Sequence, residues 1–253
     1  MKLKIWHWIT LAIVAYVFFL IKLMPAAWLL NSRIVPVPNN IIVSGVSGTI
    51  WNGQANRILA QGVAVDQVSW DLSFLALLMG QVSADVMGGR LRDQDAVYLK
   101  GSVTAYLLNQ HAFDLTNTTI LVPAQSVMGQ MQLPVPVTAK GRFKADIATL
   151  EFDSICQVLS GSGAWNNGMV SGLQGPIEFG SFNALLNCVD GDLQIKVLPD
   201  NKLQLDALLI IKNAGGYSID GVFKIPPDMP EEVEQAAVFF GRPDAQGFRR
   251  INL

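Results

Sequence analysis

Acidic residues are missing from the first quarter of the chain, where none precedes Asp66. Histidine is almost absent (His7 and His111), cysteine is limited to Cys156 and Cys188, and charged residues make up 15% of the 253 against 51% hydrophobic. Each shortage excludes something. Two histidines, one of them inside an apolar run, and two separated cysteines leave too few ligands for a zinc site. A Ser-His-Asp set would have only His111 to use, and no serine stands in a G-x-S-x-G turn. No glycine-rich loop opens a convincing helix, so nucleotide binding has no support. Asp93-x-Asp95 and Asp190-x-Asp192 start like calcium loops but lack the remaining ligands, which leaves solvated turns. Asn117-Thr118-Thr119 matches a glycosylation acceptor, a pattern short enough to arise by chance. Paired carboxylates cannot be read before the chain is folded, but no acid stands in an unusual apolar context. Catalysis is not expected, and no cofactor or metal is implied.

What is present begins at the amino terminus. Ile5 to Ile21 is apolar except for His7 and Thr10, and Lys2, Lys4 and Lys22 flank it. Extended to Met24, this is about 20 residues, or roughly 30 Å of helix, the thickness of a bilayer's hydrocarbon layer. Trp6 and Trp8 at one end and Trp28 at the other suit the lipid–water interface, and the lysines before the span predict a cytoplasmic amino terminus. Residues 1–24, with Trp8, Ile13, Phe18 and Leu20 facing lipid, are therefore expected to be a single-pass anchor. A cleaved signal is the competing reading; Pro25-Ala26-Ala27 favours it, whereas Met24 and Pro25 occupy positions that need small residues. Beyond the anchor, 15 Lys and Arg face 20 acids, a net −5 that argues against nucleic acid.

The prolines and asparagines of residues 25–40 predict an extended, non-helical connector. From Ile41 to the end, short period-two segments alternate with turn residues. Val63, Val65, Val68, Trp70 and Leu72 form one, with a slip at Asp66-Gln67 that predicts a bulge. Others are Val82 to Val86, Phe113 to Val122, Phe143 to Ile147, Leu193 to Val197, Leu203 to Ile211 and Tyr217 to Phe223. Turn signals such as Gly88-Gly89, Asn109-Gln110, Asp190-Gly191-Asp192 and Asn213 to Gly216 would join them into an antiparallel meander. Helix is expected only at Ser73–Met79, ended by Gly80, and at Pro230–Phe240, ended by Gly241.

The fold class is thus mainly β: a transmembrane helix, a curved antiparallel meander forming a folded sheet or half-barrel over 41–253, and a short C-terminal helix. An echo between Ser47–Gly53 and Ser160–Gly168 leaves open two similar units, 41–138 and 139–225, or one sheet. A meander with few helices must bury one face by folding over, closing or taking a ligand. A sheet-on-sheet core is the plain solution, with Trp51, Trp70 and Trp165 as core anchors; a protein partner or a bound acyl chain is the other. An even cysteine count outside the cytosol predicts a Cys156–Cys188 disulfide, worth about 3 to 4 kcal/mol on the chain-entropy model, against two buried thiols.

One ordered set of motifs is specific. Gly48-Thr49-Ile50-Trp51-Asn52-Gly53, then Val68-Ser69-Trp70-Asp71-Leu72, then Leu77-Leu78-Met79-Gly80, resembles the opening of the type II secretion system protein N family. Cys156 and Cys188 bracketing Gly161-Ser162-Gly163 and Trp165 resemble the same family. The resemblance implies a non-enzymatic accessory or scaffold part of a bacterial secretion machine, anchored in the inner membrane with its body in the periplasm. Its partners would be other type II secretion subunits and inner-membrane lipids. The family's likeness to AsmA-type periplasmic proteins implies a second role, a lipid-handling module with a hydrophobic β groove.

Overall fold

Apolar alternation separated by turn residues gives each segment its sequence neighbour as the nearest pairing partner, and this chain pairs that way at nearly every step. The computed structural model describes residues 5–31, 41–60, 62–109, 111–128, 138–172 and 175–252. Two helices come first, α1 (Ile5–Lys22) and α2 (Ala26–Asn31). Strands β1 (Ile41–Ser44), β2 (Ser47–Gly48), β3 (Asn52–Ala60) and β4 (Val63–Leu72) lead to helix α3 (Phe74–Leu78). Then follow β5 (Gln81–Gly88), β6 (Tyr98–Tyr106), β7 (Ala112–Pro123) and helix α4 (Ala124–Met128). The long strands β8 (Ala139–Asp153), β9 (Ile155–Ser171) and β10 (Pro176–Val189) form the middle, followed by β11 (Asp192–Val197), β12 (Asp206–Ile211) and β13 (Tyr217–Lys224). Helix α5 (Glu231–Ala237), a 3-10 turn (Val238–Phe240) and β14 (Phe248–Asn252) close the chain. Thirteen strands lie side by side in chain order, all antiparallel, from β1 to β14, and β2 pairs only with β3. The sheet is open.

Residues paired across an antiparallel ladder point to the same face, so the register writes out both surfaces. One face carries Leu72, Ala84, Val103, Leu115, Leu150 and Leu159 in a row from β4 to β9. The adjacent row on the other face reads Asp71, Asp85, Ser102, Thr116, Thr149 and Ser160. Register shifts in the β6–β7, β8–β9 and β9–β10 pairs, with left-handed backbone at Asn117, Gly141, Asn167 and Gly180, mark bulges, which bend strands and sharpen their twist.

Several expectations need correction. A sheet-on-sheet core is not what the chain builds: among the described residues a single sheet carries all the strands and no large side chain is fully buried. The connector predicted to be extended starts as helix α2, because Ala26, Ala27, Leu29 and Leu30 are good helix formers placed directly after a proline; its residues 32–40 lie outside those described. Helix α4 was not predicted. The strand predicted from Leu203 begins only at Asp206, since the Asn201 side chain accepts from the Leu203 and Leu205 amides and donates to the Leu198 and Leu205 carbonyls, holding a turn. The slip at Asp66-Gln67 is real, but it comes from left-handed Gln67 (φ 53°) with the β3–β4 register unbroken. Gln110 of the Asn109-Gln110 turn lies outside the described residues, as do Lys2 and Lys4.

Candidate functional site

The sequence motifs divide between two places. The first is the joint between α1 and the sheet. A helix leaves its last carbonyls without intrahelical donors, and here the motif around Trp51 supplies them. The Trp51 indole Nε1 donates to the Ile21 carbonyl at 2.8 Å, the Ile50 amide donates to the Met24 carbonyl at 3.1 Å, and Pro25 bridges to Thr49. Gly48 and Gly53 make the hairpin beneath: Gly48 takes φ 83°, and a Cβ on Gly53 would sit 2.4 Å from the Trp70 ring. Trp70 in turn donates from Nε1 to the Ile50 carbonyl at 3.1 Å. Gly80, with φ 77°, ends α3, whose amino end is capped by Ser73 Oγ accepting from the Ala76 amide. Phe74 opens α3 and packs edge-on against both Trp51 (5.3 Å) and Phe18 of α1 (6.4 Å). The Leu72 amide donates to the Trp51 carbonyl at 2.6 Å, while its side chain stands in the apolar row of the sheet.

Trp165 belongs to the second place, 95 residues further along the chain than Trp70. It is stacked between Phe143 and Phe182, with ring centroids 5.6 Å apart on each side, and donates from Nε1 to the Lys140 carbonyl. This aromatic row forms one wall of a trough in the apolar face of β8 to β12. The opposite wall is the row Ile147, Leu186, Ile195, Leu209, with Gly161 between the first two. Between the walls runs a floor of smaller residues: Ala145, Gly163, Ala184, Val197 and Ala207, mutual neighbours on five successive strands. With strands spaced at about 4.8 Å, this floor is roughly 19 Å long. The trough encloses about 700 Å³ and its exposed lining is almost wholly apolar; Met128 of α4 and Leu203 and Leu205 of the Asn201 turn also line it. No element packs over the floor among the described residues.

Cys156 and Cys188 are joined, with Cα atoms 5.6 Å apart, tying the start of β9 to the end of β10 beyond the wall that contains Leu186. The anchor residues Trp8, Ile13, Phe18 and Leu20 lie on α1 and are all exposed. Among the described residues no helix is long and apolar enough to cross a membrane; of the span expected over Ile5–Met24, α1 covers 18 residues, about 27 Å. The polar face holds a hollow of about 650 Å³ beside Asp71, Asp85 and Lys100, where Asp85 accepts from Ser102. Nearby on the same face, Asp146 accepts from Thr119 at 2.8 Å and pairs with Lys144 at 2.6 Å. Burial pushes its carboxyl up, but these two partners outweigh that and hold it below the usual carboxylate range. Asp66 is held low too, by its hydrogen bond from Arg57. The calcium-like starts are turns: Asp93 accepts from the Asp95 amide and Asp192 from the Asn213 amide. His111 sits in the turn before β7.

Sequence reasoning found the joint's residues as a motif without its role. It missed the trough floor, because small residues on five strands have no sequence pattern until the register aligns them.

The family model described as type II secretion system, protein N, matches residues 39–252. Curated relatives named type II secretion system protein N include one from Aeromonas hydrophila, 29% identical over 242 residues, covering 94% of this chain and 92% of the relative. One from Vibrio cholerae is 27% identical over 215 residues, covering 84% of each. One from Pectobacterium carotovorum is 25% identical over 243 residues, covering 95% of this chain and 93% of the relative. No solved structure matches.

Proposed function

The chain belongs to the type II secretion system protein N family, and from that premise we propose that it is an inner-membrane-anchored, periplasmic accessory component of the secretion machine that acts through protein contacts rather than catalysis. The observation that carries this reading is the joint. The motif Gly48 to Gly53 is spent on gripping the end of α1, which is what a body needs if it must be held at a defined angle to a membrane tether. Helix α1 supports the tether, since its apolar side chains are exposed all round and such a helix needs lipid or protein cover.

The two sheet edges differ as docking sites. On β14, Arg250 pairs with Asp220 and the edge is charged; β1 carries exposed Ile42 and no charge, so it is the better place for strand addition by another secretion subunit. A photocrosslinker at Ile42 in secreting cells should capture a type II secretion subunit, and Ile42→Pro should reduce secretion. Crosslinks to no subunit, with secretion unchanged on deletion of the protein, would rule this reading out.

A second reading is favoured by the trough: its length and apolar lining fit an acyl chain, which would cover a face that the described residues leave open. Native mass spectrometry of protein extracted in mild detergent should then find a bound lipid, and its absence would remove this reading while leaving the first intact.

A further inference from the structure

One corner of the sheet is unusually greasy, and nothing above uses it. Helix α3 exposes nearly all of its apolar side chains, with Leu75 72% exposed, Leu78 70% and Met79 just after it 77%. The β6–β7 hairpin tip lies beside it: the Leu107 amide donates to the Gly80 carbonyl at 3.0 Å, and the next residue, Leu108, is 99% exposed. No Lys, Arg, Asp or Glu occurs from Leu72 to Ala84 or from Gly101 to Phe113. The hairpins further along the same end are different, carrying Asp153, Asp190, Asp192 and Lys212. Five large apolar side chains in adjoining loops are costly in water, and a contiguous patch of this kind marks an interaction surface.

Position says what covers it. Phe74, the first residue of α3, meets the ring of Phe18, which lies one turn before Lys22 in α1, about 6 Å along the helix axis on the inner side of that lysine. If α1 spans the bilayer and Lys22 reaches the outer headgroups, α3 stands at the depth of the outermost acyl carbons, and Leu107-Leu108 beside it does the same. We propose that α3 and the Leu107-Leu108 tip form a lip that inserts into the periplasmic leaflet of the phospholipid bilayer, giving the sheet a second point of membrane contact. With the joint it would stop the body from swivelling about its tether. The proposal rests on the tether reading above.

Collision-accessibility measurements on nitroxide labels test it, using the oxidised full chain in phosphatidylethanolamine–phosphatidylglycerol nanodiscs. Labels go on Leu75→Cys, Leu108→Cys, Ala214→Cys in the polar β12–β13 turn, and Ile13→Cys in α1. The lip predicts that labels at 75 and 108 collide with oxygen more often, and with a water-soluble nickel chelate several-fold less often, than the label at 214. Nickel collision at 75 and 108 equal to that at 214 overturns the lip. If the label at 13 still reports lipid, the tether survives that result; a label at 13 in water overturns the tether and the lip together.

Discussion

The glycines packed into β3 to β7 and the one glycine in the trough floor of the second half, Gly163, do opposite things. In β3 to β7, glycine makes room for a neighbour that already fills it: a Cβ on Gly101 would lie 2.1 Å from Thr118 Oγ1, one on Gly88 2.8 Å from Val65, and one on Gly53 against the Trp70 ring. In the trough floor, Gly163 makes no tight approach to any described residue. The nearest heavy atom to its Cβ would be 3.6 Å away, on Leu186. Glycines at the trough's margin, Gly161 and Gly221, press on backbone and behave like those of the first half. The lesson is that the first half is packed for rigidity around the joint, whereas the second half keeps a cleared lane. The second half also has the disulfide, while the first, among the described residues, is held by packing, hydrogen bonds and the Arg57–Asp66 ion pair.

Removing that covalent tie should be the largest perturbation. Replacing Cys156 and Cys188 together by serine opens a 32-residue separation and should lower unfolding free energy by about 3 to 4 kcal/mol in urea melts of the full chain in detergent. Hydrogen exchange should localise the loss to β9 and β10; loosening spread evenly over β3 to β7 would contradict the division. Next comes Gly101→Ala, which forces Thr118 and its backbone aside and should cost about 1 to 3 kcal/mol, with no change in disulfide content. A melt unchanged from the parent would mean that the first half is not tightly packed.

Smaller still is the pH response. Asp66 in the first half and Asp146 in the second both have carboxyls held low in the folded state, so each contributes stability that is fully present above the unfolded value and is lost as pH falls through the folded one. Melting temperature should therefore be insensitive to these groups between pH 7 and 5 and decline below about pH 4. Asp146→Asn should flatten that decline more than Asp66→Asn, because Asp66 and Arg57 lie in open solvent.

How much of this could be read in advance depended on period. Segments with one wet and one dry face, such as Val68 to Leu72 and Phe113 to Val122, announced themselves as strands, and Ser73 with Gly80 bracketed α3. β9 did not, since Gly-Ser-Gly-Ala-Trp-Asn-Asn has no alternation; of its inward positions, Gly161 and Gly163 are small and Trp165 stands in the trough wall. Pro199-Asp200-Asn201 was legible as a turn, but its extension to Leu205 hid, because Leu203 and Leu205 continue the β12 pattern and only a side-chain amide interrupts it. The joint was legible as a motif. Its meaning needed the end of α1 in place, and the trough needed register, which no single strand carries.

The smallest expected change in stability is also the sharpest test of the comparison. Gly163 has an ordinary backbone, a Cβ there would meet Leu186 and Ala184 only at ordinary contact distance, and the residue lines the trough, so Gly163→Leu should adopt a normal rotamer in the trough without moving its neighbours. Unfolding free energy should shift by less than about 1 kcal/mol, far less than for Gly101→Ala. The added side chain would nonetheless block the lane midway between Ala145 and Ala184. If the trough holds an acyl chain, bound lipid in native mass spectra should fall sharply while crosslinking at Ile42 persists. If the trough is only a spare face, lipid and crosslinking should both be unaffected. A destabilisation equal to that of Gly101→Ala would mean that the second half is as filled as the first, and the contrast between the halves would collapse.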